Sequence, residues 1–165
     1  MGYRKLPPLV MPTDPAVLGY VAGIVDGEGY VGITTAFDRR TSKNPSHAAR
    51  VVVINTDLRL IGWFAETFGG VVMSGDHDRA KGWKTRYTWQ INGKRCEQFL
   101  VALRPYLRLK GEQADVILAL RATGLHRGGG LGHGGVALAA HVVAEREALK
   151  QRIHVLNARG KEKSA

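Results

Sequence analysis

The chain has 165 residues, 44% hydrophobic and 23% charged, a length and balance that suit one soluble domain with a core of its own. Lys and Arg outnumber Asp and Glu by 24 to 14, and the formal net charge of +10 points to a polyanionic partner, nucleic acid most simply, an anionic membrane surface being the other reading. No apolar run approaches the roughly 20 residues that span a bilayer; the start MGYRKLPPLVMP lacks the apolar core of a signal peptide, and the single Cys96 excludes an internal disulfide framework and any multi-cysteine zinc site. The location expected from this is intracellular: cytoplasm, nucleoid or an organelle.

Met1 to Thr13, rich in proline and basic residues, reads as an extended arm ahead of one domain over residues 14–157, with a basic tail at 158–165. Asp14-Pro15 predicts a helix start, Asp14 capping free N–H groups and Pro15 standing where no N–H is needed. Val17, Leu18, Tyr20, Val21, Ala22, Ile24 and Val25 make this helix apolar nearly all round, and Gly19 and Gly23 allow close approach. Asp26-Gly27-Glu28-Gly29 ends it, a glycine expected to take the left-handed conformation. Two acids at the negative end of a helix are wrong for stability and right for holding a cation.

Tyr30 to Phe37 and His47 to Asn55 have strand composition, with a basic loop between them. Thr56-Asp57 caps a helix over Leu58 to Phe68, stopped by Gly69-Gly70. Val71 to Ser74, continuing to His77, pairs with Lys84 to Asn92 around the turn DRAKGW. In the latter strand Arg86, Thr88 and Gln90 alternate with Tyr87, Trp89 and Ile91, one face polar and the other apolar. A helix over Lys94 to Leu103 ends at Arg104-Pro105 and places Cys96 as a core residue. Helices from Glu112 to Ala122 and from Val136 to Leu156 flank the glycine-rich segment Gly124 to Gly135. The fold class expected is α+β: helices on one face of an antiparallel sheet, the helix-strand-strand order occurring twice, and the other sheet face left open.

Three motifs carry less than they suggest. Gly130, Gly132 and Gly135 have dinucleotide-fingerprint spacing but follow a helix, where a strand is required. His126, His133 and His141 lack a joining carboxylate or thiolate at zinc spacing. Asp26 to Gly29 fails as a calcium loop, because Tyr30 and Gly32 occupy later ligand positions.

Val21-Ala22-Gly23-Ile24-Val25-Asp26-Gly27-Glu28-Gly29 resembles, without a gap, the signature of the LAGLIDADG homing endonucleases. The resemblance extends to the repeated helix-strand-strand order, the Asn-Thr-Asp start of the second helix, Phe68-Gly69-Gly70, and Arg104 to Lys110. It implies an αββαββα core with a saddle-shaped sheet and additional C-terminal helices. The family carries one or two copies of the motif; the single copy here implies a homodimer, with motif helices side by side through Gly19, Ala22, Gly23 and Asp26.

The function implied is site-specific cleavage of double-stranded DNA, as by mobile-intron endonucleases, with a non-cleaving RNA maturase or regulator on the same fold as the alternative. Glu28, assisted by the Gly27 carbonyl, would ligate Mg²⁺, with Mn²⁺ able to substitute and Ca²⁺ supporting binding without cleavage. Asp26 would be structural. Lys110 matches a basic residue near the scissile phosphate, and Asn55 and Arg59 match peripheral active-site positions. The pool of DNA-reading candidates is Thr34, Arg39, Arg40, Lys43, Arg50, Val52, Asp76, Arg79, Lys81, Lys84, Arg86, Thr88 and Gln90. Within it Arg can pair with guanine and Gln with adenine, while others only touch phosphates. No membrane partner is expected.

Overall fold

The computed structural model describes residues 9–36, 45–75, 81–124 and 138–158. The leader up to residue 8, Arg39, Arg40, Lys43, Asp76, Arg79, the continuation to His77, most of the glycine-rich segment with His126 and His133, and the tail from 159 lie outside these residues.

Helix α1 spans Pro15–Glu28, and its cap is the expected one: Asp14 accepts a hydrogen bond from the Ala16 N–H at 2.8 Å. Its end differs from expectation. Gly29 is extended (φ −85°, ψ 157°), and the chain passes directly into strand β1, Gly29–Ala36. Glycine is required there by proximity: a Cβ would stand 2.5 Å from the Val25 carbonyl oxygen and 2.8 Å from its Cα. Positive φ is found instead at Gly69 and Gly70 (68° and 92°), which stop helix α2 (Leu58–Phe68), and at Gly82 and Gly93 (68° and 59°).

Strand β2, Ser46–Asn55, precedes α2; β3 (Val71–Gly75), β4 (Arg86–Asn92), α3 (Gly93–Leu103), α4 (Gly111–Thr123) and α5 (Ala140–Asn157) follow. The four strands form one antiparallel sheet in the order β1-β2-β4-β3. Val31 and Ile33 of β1, Ala49, Val51 and Val53 of β2, and Trp89 and Ile91 of β4 are buried in register, and residues from all five helices share their core. Alternation therefore sends the odd-numbered residues of these three strands under the helices and the even-numbered ones to the opposite face. The expected α+β fold, with helices on one side of an antiparallel sheet, is what the chain forms.

Two features hold the layers in place. Trp63, Phe64, Phe68, Trp89 and Phe99 pack with ring centroids 5.0–6.2 Å apart, and the Trp89 indole donates to the Gly69 carbonyl at 2.6 Å, joining the α2 stop to the sheet. On the other flank, Asn157 at the end of α5 donates to the Val31 carbonyl at 2.9 Å, and the buried His47 ring meets Glu147 of α5 at 3.2 Å. Cys96 is a core residue as expected, its thiol pushed far up by burial, which removes it as a nucleophile.

Gly29→Ala should destabilise the fold by roughly 1–3 kcal/mol, since the Val25 backbone cannot yield to a new methyl. Gly62→Ala, where a Cβ meets nothing within 4 Å, should be neutral or stabilising. Thermal and urea unfolding compare the two, and equal effects would contradict the close approach.

Candidate active site and open sheet face

The last turn of α1 sets out its two acids differently. Asp26 is half-buried, and its carboxylate accepts the backbone N–H of Arg108 at 2.7 Å and of Lys110 at 2.9 Å. The Lys110 ammonium in turn donates to the Asp26 carbonyl, so the segment ahead of α4 is fastened to the end of α1 from both sides. The charge that the helix end disfavours is thus compensated locally. Asp26 is thus tied to the backbone of its own chain, and the Lys110 ammonium, bonded to the Asp26 carbonyl, stands one residue from Gly27. Burial pushes the Lys110 ammonium below its ordinary pKa, and the Asp26 charge partly offsets that.

Glu28 is exposed, and the one side-chain partner of its carboxylate among the described residues is the neutral Asn55 amide, which donates to Oε2. Asn55 ends β2 and is itself fixed, because its Oδ1 accepts the Asp57 N–H at 2.8 Å. Glu28, Asn55 and Lys110 therefore gather around the end of one helix. Arg59 does not join them: its guanidinium forks onto Asp57 at 2.6–3.2 Å, and this partner holds the Asp57 carboxyl at about 2, well below 3.8. Asp57 accepts the Arg59 N–H at 2.9 Å as well, so the pair serves the start of α2.

The flank of α1 next to Glu28 is bare. Gly19, Gly23 and Gly27, four residues apart, are exposed, and a Cβ at any of them would meet nothing within 4 Å. Ala22 does not belong to that flank. It is fully buried with Leu18, Val21 and Val25, a stripe at i, i+3, i+4 and i+7 that faces the chain's own core, so its assignment to a subunit interface is corrected. Gly27 lies on the flank with Gly19 and Gly23 instead, and sequence spacing offers the signal, since 19, 23 and 27 lie on one helical stripe.

No described helix covers the second sheet face. Thr34, Arg50, Arg86, Thr88 and Gln90 stand on it, as the alternation requires. Val52 stands there too but is only 6% exposed, so it forms the floor of the face. Tyr30 is exposed on the same face and its ring lies over Gly32, where a Cβ would come within 2.5 Å of the phenol oxygen. Lys81 and Lys84 are exposed in the β3–β4 connection beside Trp83, whose ring centroid lies 5.6 Å from the Lys81 ammonium. Neither ring was expected at the site; Trp83 left a trace in the sequence by its place between Lys81 and Lys84, and Tyr30, between Gly29 and Val31, left none.

No sequence-family model matches the chain, and no curated protein matches it. Solved structures do match, and homing endonucleases are among them. The chain superposes on the homing endonuclease I-CvuI, solved with its target, at a TM-score of 0.69 and 17% identity, covering 91% of this chain and 87% of that one. On the archaeal intron-encoded I-Vdi141I complexed with DNA, the TM-score is 0.67 at 13% identity, covering 91% and 89%. On the homing endonuclease I-TnaI it is 0.54 at 17%, covering 89% of each. The fold of this chain is that of the LAGLIDADG homing endonucleases.

Asp26→Asn should cost roughly 1–3 kcal/mol, because one of the two backbone N–H groups loses its acceptor. Amide hydrogen exchange at Arg108 and Lys110 should accelerate; unchanged protection there would contradict the clamp.

Proposed function

We propose that the chain is a metal-dependent, site-specific endonuclease of double-stranded DNA, which works as a homodimer and hydrolyses one phosphodiester in each strand of a long pseudo-palindromic site. The observation that carries this reading is the end of α1: an exposed Glu28 steadied by Asn55 and adjoined by Lys110, beside a bare glycine stripe and the uncovered sheet face. The fold shared with DNA-bound homing endonucleases supports it, as does the net charge of +10.

The donors at this end fit a hard divalent cation. The Glu28 carboxylate and the Gly27 carbonyl are oxygens, and the last carbonyls of a helix lack a partner within it. Among the described residues no three His, Cys, Asp or Glu side chains come together, and the Asp26 carboxylate is engaged by the Arg108 and Lys110 N–H groups, so Glu28 is the carboxylate that one copy brings. A second copy, docked along Gly19, Gly23 and Gly27, would bring another, and DNA phosphate oxygens would be further donors of the kind Mg²⁺ takes. Mg²⁺ or Mn²⁺ held there would supply an activated water and neutralise the phosphate and leaving oxygen, while Ca²⁺ would support binding alone.

The chain's own residues prepare the rest. Asn55 fixes the orientation of the Glu28 carboxylate, and Asp26 holds Lys110 within reach of the scissile phosphate. The Lys110 ammonium stabilises charge that develops on the phosphate oxygens. Arg59, held by Asp57, contacts the DNA backbone from the edge of the site rather than the reacting atoms. Thr34, Arg50, Arg86, Thr88, Gln90, Lys81 and Lys84 face the major groove or its phosphates, and Arg39, Arg40, Lys43, Asp76 and Arg79 extend that set.

Glu28→Gln should abolish strand cleavage in Mg²⁺ and leave specific binding within a few-fold of the parent, as read by cleavage and gel-shift assays on a selected duplex. Cleavage at the parent rate would remove Glu28 from the site; a parent protein that binds its duplex and never cuts it would leave a non-cleaving nucleic-acid binder. Gly23→Leu should separate the dimer by sedimentation while the fold persists, since the added side chain fills only the open flank. An unchanged sedimentation profile would place the interface elsewhere.

A further inference from the structure

Arg50 and Gln90 are diagonal neighbours on the open sheet face, because Arg50 pairs with Asn92 and Val52 pairs with Gln90. The Arg50 Nη2 donates to the Gln90 side-chain oxygen at 2.9 Å. Arginine has N–H donors and no acceptor, so the chemistry fixes which end of the amide faces it: Oε1 points to the guanidinium and the NH₂ points away. The inner end of the arginine is closed off, its Nε covered and without a partner among the described residues. What the two side chains can present to a ligand is the Gln90 NH₂ and the terminal N–H groups of Arg50.

From this we infer that Arg50 and Gln90 act as one specificity-determining unit that reads guanine and rejects adenine; the inference rests on the DNA reading above. A free glutamine pairs with adenine by accepting from N6 and donating to N7. In Gln90 the accepting oxygen is committed to a cation, and an adenine amino group approaching it would meet the Arg50 N–H groups donor to donor. Guanine offers O6 and N7, both acceptors, and suits a pair that only donates. Taken singly, the two residues would read guanine and adenine at separate positions; bonded together, they favour guanine, the base that offers two acceptors in the major groove. The flanking surface suits a base edge, with Tyr30 and Ile54 exposed on the same face.

The test is a binding selection of the full chain against a randomised duplex library in Ca²⁺, which requires no cleavage. The parent should enrich guanine at one position of each half-site, with no adenine preference beside it that depends on Gln90. Arg50→Ala releases the Gln90 oxygen, so the same position should change from guanine to adenine, with affinity for the guanine site falling at least about tenfold. Gln90→Ala, a truncation on the open face, should keep guanine with a weaker preference. Adenine next to guanine in the parent profile, with Arg50→Ala losing guanine only, would show independent readers and overturn the inference. So would base profiles unchanged in both variants, the mark of phosphate contacts. Failure of the parent to enrich any duplex would overturn the DNA reading itself, and the inference with it.

Discussion

The carboxylate of Asp26 accepts two backbone N–H groups from residues 82 and 84 positions further along the chain, and much of the site's geometry depends on it. A negative side chain at a helix C-terminus opposes the helix dipole, so it stays only where nearby donors compensate it. Arg108 and Lys110 provide that compensation, and in doing so they fix the start of α4 against the end of α1. Glu28, two residues on, receives only a neutral amide among the described residues. The two acids of one motif thus divide into a structural anchor and a charge left available.

That available charge sits at a boundary between two unlike surfaces. Every described helix packs on one face of the sheet, where Trp89 and the α2 aromatics fill the core. The opposite face stays uncovered among the described residues, and basic and polar side chains alternate along it at the spacing of the pleat. α1 belongs to both settings. Its Leu18, Val21, Ala22 and Val25 stripe is buried within the chain, while Gly19, Gly23 and Gly27 line a flank where, among the described residues, a Cβ would meet nothing within 4 Å. On the proposed reading, the same helix that anchors the core also seats the second copy, and one carboxylate per chain becomes two per site.

The sequence was informative wherever periodicity or capping chemistry was strong. Asp14-Pro15 and Asp57 mark helix starts correctly, the alternation from Arg86 to Ile91 assigns both sheet faces, and α2 keeps its expected bounds. The reading failed where tertiary packing decided. Asp26 to Gly29 reads as a stop with a left-handed glycine, yet Gly29 is extended, and a Cβ there would meet the Val25 backbone. Ala22 reads as an interface residue because it is small; its position among Val21, Val25 and Leu18 turns it inward. The hydrogen bond between Arg50 and Gln90 was beyond the sequence as well, since it needs the register of β2 on β4.

The account turns on an active centre that two copies share. Its most direct test is anomalous diffraction from Mn²⁺ in crystals of the full chain on a selected DNA duplex. The account predicts metal peaks bounded by Glu28 carboxylates from both copies, with the Gly27 carbonyls and scissile phosphates within coordination distance. Metal held by one copy alone, or at residues away from the end of α1, would contradict it.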